Sequence, residues 1–231
     1  FRRAITFYRK RDYKAAHKDV SEAIHYKPNY VDALFLRGLT NQSFGNFDTA
    51  LDDYSEAIRL KPDFAFAYST RGRLYAGKGN HEIAIKDYTE AIRLQPSNSA
   101  LYVERGIVWK SQGKFDHAIS DLTAAIKLNA DQALAHRALG WLLATCPVAE
   151  FRDGHRAAAA GRRACELTDW KDPFCVETLA AAYAELRVFE EAIRWQARAI
   201  QLAVDRGIAP AELEQRLKLY ENRQPYREMG K

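Results

Sequence analysis

Apolar and polar residues follow a repeating pattern along this chain of 231 residues. The stretch DYSEAIRLKPDF at 53–64 returns 34 residues later as DYTEAIRLQPSN at 87–98. Related versions occupy 19–30 and 121–132. Within each stretch the small and apolar residues have the spacing of one helix face, and Pro62 and Pro96 end a helix because the residue before Pro avoids the α conformation. The pattern predicts helices repeated at a fixed period.

Small residues keep the same step of 34 residues. Three series show it: Ala4, Gly38, Gly72, Gly106 and Gly140; Ala16, Ala50, Ala84 and Ala118; Ala23, Ala57, Ala91 and Ala125. A Gly inside a helix normally costs about 1 kcal/mol relative to Ala, so its recurrence predicts a second helix too close for a side chain. Gly45, Gly79 and Gly113 suit a left-handed turn between the two helices of a hairpin.

A period of 34 residues with small residues at repeat positions 8, 20 and 27 and Pro at position 32 resembles the tetratricopeptide repeat, TPR. The resemblance implies an all-α fold, an α-solenoid of helix-turn-helix hairpins that forms a right-handed superhelix. The stretches LLATCP and WKDP in the fifth repeat resemble the ends of bacterial TPR arrays.

The repeats predict a single TPR domain over residues 1–231. The first repeat is truncated and begins at its fifth position, and the fifth repeat is irregular because five extra residues enter the stretch TCPVAEFRDG. A helix within 209–223 has one apolar side and is expected to cap the stack. The predicted segments are 1–30, 31–64, 65–98, 99–132, 133–172, 173–206, and a capping helix with a tail at 207–231.

Arg at repeat position 7 occurs together with Asp at position 23 in each of the first four repeats. The pairs are Arg3 and Asp19, Arg37 and Asp53, Arg71 and Asp87, and Arg105 and Asp121. Both residues change together in the fifth and sixth repeats. We therefore predict that each Arg pairs with its Asp across a helix interface, where the pair sets the helix register more than it adds net stability.

The resemblance also implies that the first helices of successive repeats line a concave groove. The candidate peptide-binding residues there are Phe35, Leu39, Phe66, Arg73, Val103, Ile107, Lys110, Leu134, Arg137 and Trp141. Phe174 and Glu177 extend this set into the sixth repeat. The groove is expected to be an apolar track edged with charges, which fits a protein or peptide partner that presents apolar side chains as an extended segment or a helix. TPR domains that hold a C-terminal carboxylate need Lys, Asn and Arg at set positions of three consecutive repeats. The corresponding places here carry apolar residues such as Phe35 and Leu39, with Glu104 nearby, so such a clamp is not expected.

The net charge of +5 is local to the N-terminal end, since residues 1–30 carry eight Lys and Arg against three Asp and Glu. Two alternatives to the groove follow. The basic N-terminal face would bind an acidic partner or, less favoured, nucleic acid, because Arg and Lys stand there beside Phe7, Tyr8 and Tyr13. The open N-terminal end of the first repeat would instead serve in self-association or in stacking within a longer chain.

Motifs of catalysis or metal binding are weak. The stretch GRLYAGKG at 72–79 resembles a phosphate-binding loop but continues without the Ser or Thr that binds Mg²⁺. The sequence has no HExxH or GxSxG motif, and its three Cys residues form no CxxC pair. The expectation is a non-enzymatic protein with no catalytic residues, no metal site, no cofactor and no membrane insertion, in a reducing, cytoplasmic compartment by default.

Overall fold

The computed structural model describes residues 1–228 and is built from α-helices arranged as hairpins. The chain divides into two compact units, unit 1 at Phe1–Ser97 and unit 2 from Asn98 onwards. Each unit has its own hydrophobic core, made of Ala, Leu and aromatic side chains on the facing sides of its helices. The last three residues of the predicted tail, 229–231, lie outside the described residues.

Unit 1 contains three hairpins, each made of a first and a second helix. The helices are α1 (Arg2–Arg9), α2 (Tyr13–Tyr26), α3 (Val31–Ser43), α4 (Phe47–Leu60), α5 (Ala65–Gly77) and α6 (His81–Leu94). The second helices α2, α4 and α6 all end two residues before a Pro. The stretch GRLYAGKG that resembles a phosphate-binding loop begins inside α5 and is therefore mostly helix.

Unit 2 continues the hairpins and ends in an additional helix. Its helices are α7 (Ser99–Ser111), α8 (Phe115–Leu128), α9 (Ala133–Thr145), α10 (Gly154–Leu167), α11 (Pro173–Glu185), α12 (Phe189–Asp205) and α13 (Ala211–Glu221). A short 3-10 turn at Ala149–Phe151 occupies the stretch where the sequence has five extra residues. Arg152 anchors this stretch, because its guanidinium donates to the carbonyl of Cys146 at 2.9 Å and pairs with Glu185 at 3.1 Å.

The turns between paired helices use a left-handed residue, as predicted. Gly45, Gly79 and Gly113 have φ of +80°, +79° and +71°. At the equivalent positions of the first and sixth repeats stand Arg11 and Arg187, with φ of 62° and 63°. Left-handed backbone is disfavoured for residues with a side chain, so these two turns are more strained than the three built on Gly.

The predicted close approach of helices at the recurring Gly is confirmed. A Cβ added at Gly38 would overlap the ring of Tyr54, which is fully buried. At Gly140 an added Cβ would lie 3.0 Å from Thr178 Cγ2 and 3.1 Å from the backbone oxygen of Ala157. Helices α3 and α9 therefore pack against their neighbours at a distance that only Gly allows.

All four predicted Arg–Asp pairs are present, which confirms that prediction. The shortest nitrogen–oxygen distances are 2.5 Å for Arg3 and Asp19, 2.6 Å for Arg37 and Asp53, 2.7 Å for Arg71 and Asp87, and 2.8 Å for Arg105 and Asp121. The Asp side chains are buried at the contact between the two helices of a hairpin. A hydrogen bond from Arg3 lowers the pKa of Asp19. Each pair fixes the register of one helix against its partner.

Helix α13 closes the hydrophobic core at the end of unit 2, in the stretch where a capping helix is predicted. Leu213 and Tyr220 on one face of α13 are buried against α11 and α12. The side-chain amide of Gln196 in α12 donates to the backbone oxygen of Leu213 at 2.9 Å. This hydrogen bond between buried groups ties the two helices together.

The three Cys residues lie inside unit 2 and are free thiols. Burial raises the pKa of Cys165 to about 12 and that of Cys175 to about 11, and it raises the pKa of Cys146 as well. Since the thiolate is the reactive form, at about pH 8 all three should react with Ellman's reagent only after the chain is unfolded in guanidinium chloride. Release of one or more equivalents of thionitrobenzoate within minutes from the native protein would contradict this prediction.

Candidate functional site

Five of the predicted binding residues come together on one face of unit 2. They are Ile107, Lys110, Leu134, Arg137 and Trp141, which the first helices α7 and α9 present next to Phe174 and Glu177 of α11. Together these seven residues line a cavity of about 250 Å³. We call this surface the unit 2 groove. It is open to solvent and is lined mainly by carbon atoms, with charged groups at its edges.

Three apolar side chains of the unit 2 groove remain accessible to water. Ile107, Leu134 and Phe174 are 37%, 39% and 38% exposed. They come from three successive first helices and line the same cavity, so they form one contiguous apolar surface. Contiguous apolar surface of this kind marks an interaction site more often than scattered single residues do.

The charged residues of the unit 2 groove differ in whether they have partners. Arg137 lies over the ring of Phe174, with 5.7 Å from its Cζ atom to the ring centroid. Arg137 is half-buried and makes no hydrogen bond or ion pair within the described residues, although its charge lowers the pKa of the neighbouring Glu177. Glu177 is buried and accepts a hydrogen bond from Arg216 of α13; burial raises the pKa of Glu177, and Arg216 opposes this shift. Arg137 is therefore the cation that remains available to an incoming anion.

The end of the described chain lies at one edge of the unit 2 groove. Gln224–Glu228, which we call the C-terminal segment, follows α13 without regular secondary structure. The backbone N–H of Glu228 donates to the backbone oxygen of Thr145 at 2.9 Å. Its carboxylate accepts from Lys110 Nζ at 2.9 Å and from Trp141 Nε1 at 2.7 Å. Two of the predicted binding residues therefore already hold a carboxylate of the same chain.

Aromatic and basic groups hold the rest of the C-terminal segment. The ring of Tyr226 lies 5.8 Å from that of Trp141, and the guanidinium of Arg216 lies over both rings at 4.9 and 5.4 Å. Arg227 pairs with Glu185 of α11 and donates to the backbone oxygen of Ala144 at 3.2 Å. The sequence pattern did not reveal this segment, because it lies beyond the last repeat and has no counterpart at a step of 34 residues.

The structure corrects one predicted binding residue, Val103. Its side chain is 1% exposed and packs in the core of unit 2 with Leu122 and Leu139, so it cannot contact a ligand in the unit 2 groove. Val103 stands at repeat position 5, where a short side chain lies beneath its neighbours. Arg137 stands at the same position in the next repeat and reaches the surface because its side chain is longer.

The remaining predicted residues lie in unit 1. Phe66 is 60% exposed and Arg73 is also exposed. Phe35 and Leu39 are half-buried against the core of unit 1, and the ring of Phe35 lies 5.5 Å from that of Tyr54. Phe66 is therefore the one strongly exposed aromatic residue of the predicted set among the described residues.

The basic residues of the N-terminal end lie mostly on the surface of α1 and α2. Arg9, Lys10, Arg11, Lys14 and Lys18 are exposed, whereas the guanidinium of Arg3 pairs with Asp19. The aromatic rings in this region contact other rings: Tyr8 lies 5.5 Å from Tyr13. Tyr8 and Tyr13 therefore pack against each other within unit 1.

Two further features of the described residues bear on the kind of site that the chain carries. None of the helices within residues 1–228 has the length and apolar character that a membrane span requires. Over the same range, no group of three or more His, Cys, Asp or Glu side chains is placed to hold a metal ion.

Comparisons with known proteins agree with the repeat pattern. Two models described as tetratricopeptide repeat match residues 1–64 and 65–98. No curated protein matches the sequence.

Several solved structures share the fold. PilW, described as a widely conserved type IV pilus biogenesis factor, has a TM-score of 0.76 at 18% identity, over 93% of this chain and 94% of its own. YrrB, described as a TPR protein with an unusual peptide-binding site, has a TM-score of 0.66 at 22% identity, over 82% of this chain and 95% of its own. MamA has a TM-score of 0.65 at 22% identity, over 73% of this chain and 95% of its own.

These identities are too low to carry over a partner, but the agreement in fold extends over most of the chain. Together with the matching repeat models and the hairpins built on Gly and on Arg–Asp pairs, it shows the fold of the chain and the repeats within residues 1–98. The chain carries tetratricopeptide repeats at residues 1–98 and has the all-α solenoid fold of tetratricopeptide repeat proteins, a fold that supports a protein-interaction scaffold.

Proposed function

We propose that the chain acts without catalysis and that it binds an apolar segment of a partner protein in the unit 2 groove. The observation that carries the proposal is the cavity of about 250 Å³, in which Ile107, Leu134 and Phe174 remain exposed on three successive first helices. An extended peptide or one face of a helix would place apolar side chains there. The structural relative YrrB is described as having a peptide-binding site, which supports a ligand of this class.

The charges around the cavity specify the ligand further. The unpaired, half-buried guanidinium of Arg137 favours a carboxylate next to the apolar side chain of the ligand, because a charged hydrogen bond in a partly dry site is stronger than one in water. Each apolar anchor contributes roughly 1.5–3 kcal/mol on burial. Association costs roughly 4–15 kcal/mol, so a ligand with about four anchors is expected to bind with micromolar affinity.

The test starts from random peptides displayed on phage and selected against the full chain. We expect the selected peptides to combine an apolar side chain with a nearby Asp or Glu. Ile107→Asp should weaken their binding at least about tenfold in calorimetry. The substitution places a carboxylate in the apolar cavity, where it repels the carboxylate of the peptide. The control is Ile83→Asp on the second helix α6. Ile83 is 41% exposed, which matches the 37% exposure of Ile107 on α7.

The control separates the cavity from a general effect of added negative charge. Binding that Ile107→Asp leaves unchanged would rule out the unit 2 groove as the site. Equal weakening by both substitutions would show that the peptides respond to the net charge of the chain. Circular dichroism of both variants checks that the helices remain folded.

A further inference from the structure

The C-terminal segment is held in the way that a bound peptide would be. Three consecutive residues of the segment each contact a helix of unit 2. The ring of Tyr226 contacts Trp141, and the guanidinium of Arg227 pairs with Glu185. The carboxylate of Glu228 binds Lys110 and Trp141. These residues are all half-buried. The contacts are made to side chains of three different first helices, α7, α9 and α11, at one edge of the groove.

The end of helix α9 provides the backbone part of this binding site. The last carbonyl groups of a helix lack partners within the helix and carry partial negative charge. Here the carbonyl of Thr145 accepts from the backbone N–H of Glu228, and that of Ala144 accepts from Arg227. Beside these acceptors stand the donors Lys110 and Trp141. Acceptors for the ligand backbone and a cation for its carboxylate are what recognition of an extended acidic segment requires.

We infer that Lys110, Trp141 and the end of α9 form a recognition site for an extended segment of a partner protein. In that segment an aromatic residue and a basic residue precede a carboxylate. Tyr226–Glu228 of the same chain occupies this site as an internal competitor. The inference rests on the proposed function, because it names the chemistry of a ligand at one edge of the same groove. The cavity lined by Ile107 and Leu134 remains open beside the C-terminal segment, so the two parts of the ligand site are separable.

The C-terminal segment competes with an external segment because a short stretch of the same chain tethers it to the site. Gln224 lies directly after the turn that ends α13, and its N–H donates to the backbone oxygen of Leu219 at 2.8 Å. A segment tethered so closely has an effective concentration of about millimolar or more at its own site. An external segment of the same chemistry must exceed that concentration, unless the internal contacts are broken first.

The test uses the full chain labelled with ¹⁵N and a synthetic peptide of sequence NRQPYRE, residues 222–228, amidated at its C-terminus. The signal is the indole N–H of Trp141, identified by its loss in Trp141→Phe. One variant exchanges the two charges of the segment, Arg227→Glu with Glu228→Arg, which leaves the net charge of the chain unchanged. This exchange should move the indole signal upfield, because the indole loses its carboxylate acceptor.

Addition of the peptide should then return the indole signal toward its original position in the exchanged chain, with an affinity at least about tenfold higher than for the unmodified chain. Lys110→Ala in the exchanged chain should weaken peptide binding by at least about tenfold. Lys114→Ala, which removes an exposed Lys from the turn before α8, is the matched control and should leave binding unchanged. If the exchanged chain is unfolded by circular dichroism, Glu228→Ala replaces it and should show the same upfield indole shift, because Ala has no side-chain acceptor.

Three outcomes would overturn the inference. The first is that the peptide fails to shift the indole signal of a folded exchanged chain, and the second is that it binds that chain and the unmodified chain equally well. In the third outcome, sedimentation shows that the unmodified chain is a dimer, and its indole signal moves upfield on dilution to monomer. The site would then be occupied by the segment of a second copy of the chain. If selected peptides still depend on Ile107, the proposed function survives the loss of this inference.

Discussion

Replacement of Asp87 by Ala is expected to lower the free energy of unfolding by about 3–5 kcal/mol. Asp87 is 3% exposed and accepts two hydrogen bonds from Arg71, at 2.8 Å from Nε and 2.7 Å from Nη2. Without the carboxylate, the guanidinium of Arg71 stays partly buried between α5 and α6 and loses its charge partner. The cost comes from that uncompensated charge, not from the net value of the pair, which desolvation makes small. Unfolding in urea, followed by circular dichroism, measures the change.

The control for Asp87→Ala lies on the same helix. Glu90 pairs with Arg93 at 2.9 Å, but both side chains are well exposed to solvent. Glu90→Ala is expected to leave the denaturation midpoint nearly unchanged, because exposed ion pairs contribute little to stability. Equal destabilisation by the two substitutions would show that loss of a negative charge from α6, not the buried position of Asp87, determines the effect.

Replacement of Gly140 by Ala is the second substitution with a large expected effect, a loss of about 1–3 kcal/mol. Helix propensity alone would make it stabilising, since Ala is favoured over Gly by about 1 kcal/mol within a helix. The added Cβ would lie 3.1 Å from the backbone oxygen of Ala157 and 3.2 Å from the backbone nitrogen of Gly161. Backbone atoms cannot rotate away as the end of a flexible side chain can, so α9 and α10 would have to move apart. Thermal and urea denaturation of the variant measure the loss.

Gly77→Ala provides the comparison for Gly140→Ala. Gly77 is the last residue of α5, and a Cβ added there meets no atom within 4 Å. This substitution should be neutral or stabilising by up to about 1 kcal/mol. A Gly140→Ala variant as stable as the original chain would show that the distance between α9 and α10 adjusts without cost.

The features that repeat every 34 residues were predictable from the sequence. The Arg71–Asp87 pair and the Gly at position 140 could be assigned to helix contacts because equivalent residues recur: Arg and Asp occur together in four repeats and change together in two. A single copy of Arg71 or Gly140 would have carried no such information. Recurrence reveals which positions touch, but it does not give the neighbour: the ring of Tyr54 beside Gly38 became apparent only in the structure.

The features that occur once were harder to predict. Val103 and Arg137 share a repeat position, yet one is buried and the other lines the unit 2 groove. The difference depends on side-chain length and on the neighbouring helix, which the repeat pattern does not specify. The contacts of Glu228 with Lys110 and Trp141 lie outside the pattern altogether, because they join residues 118 and 87 positions apart in the chain. Such contacts depend on the path of the backbone after α13.

The path of the C-terminal segment has a consequence for how unit 2 unfolds. In a solenoid each repeat contacts only its neighbours, so the array behaves as a one-dimensional chain in which terminal repeats fray independently of the interior. The contact of Glu228 with Lys110 joins the last element of unit 2 to its first helix. Fraying of the C-terminal end therefore also removes a contact from α7. The first helix of unit 2 and its last described residues are thus in contact, as the ends of an open repeat array are not.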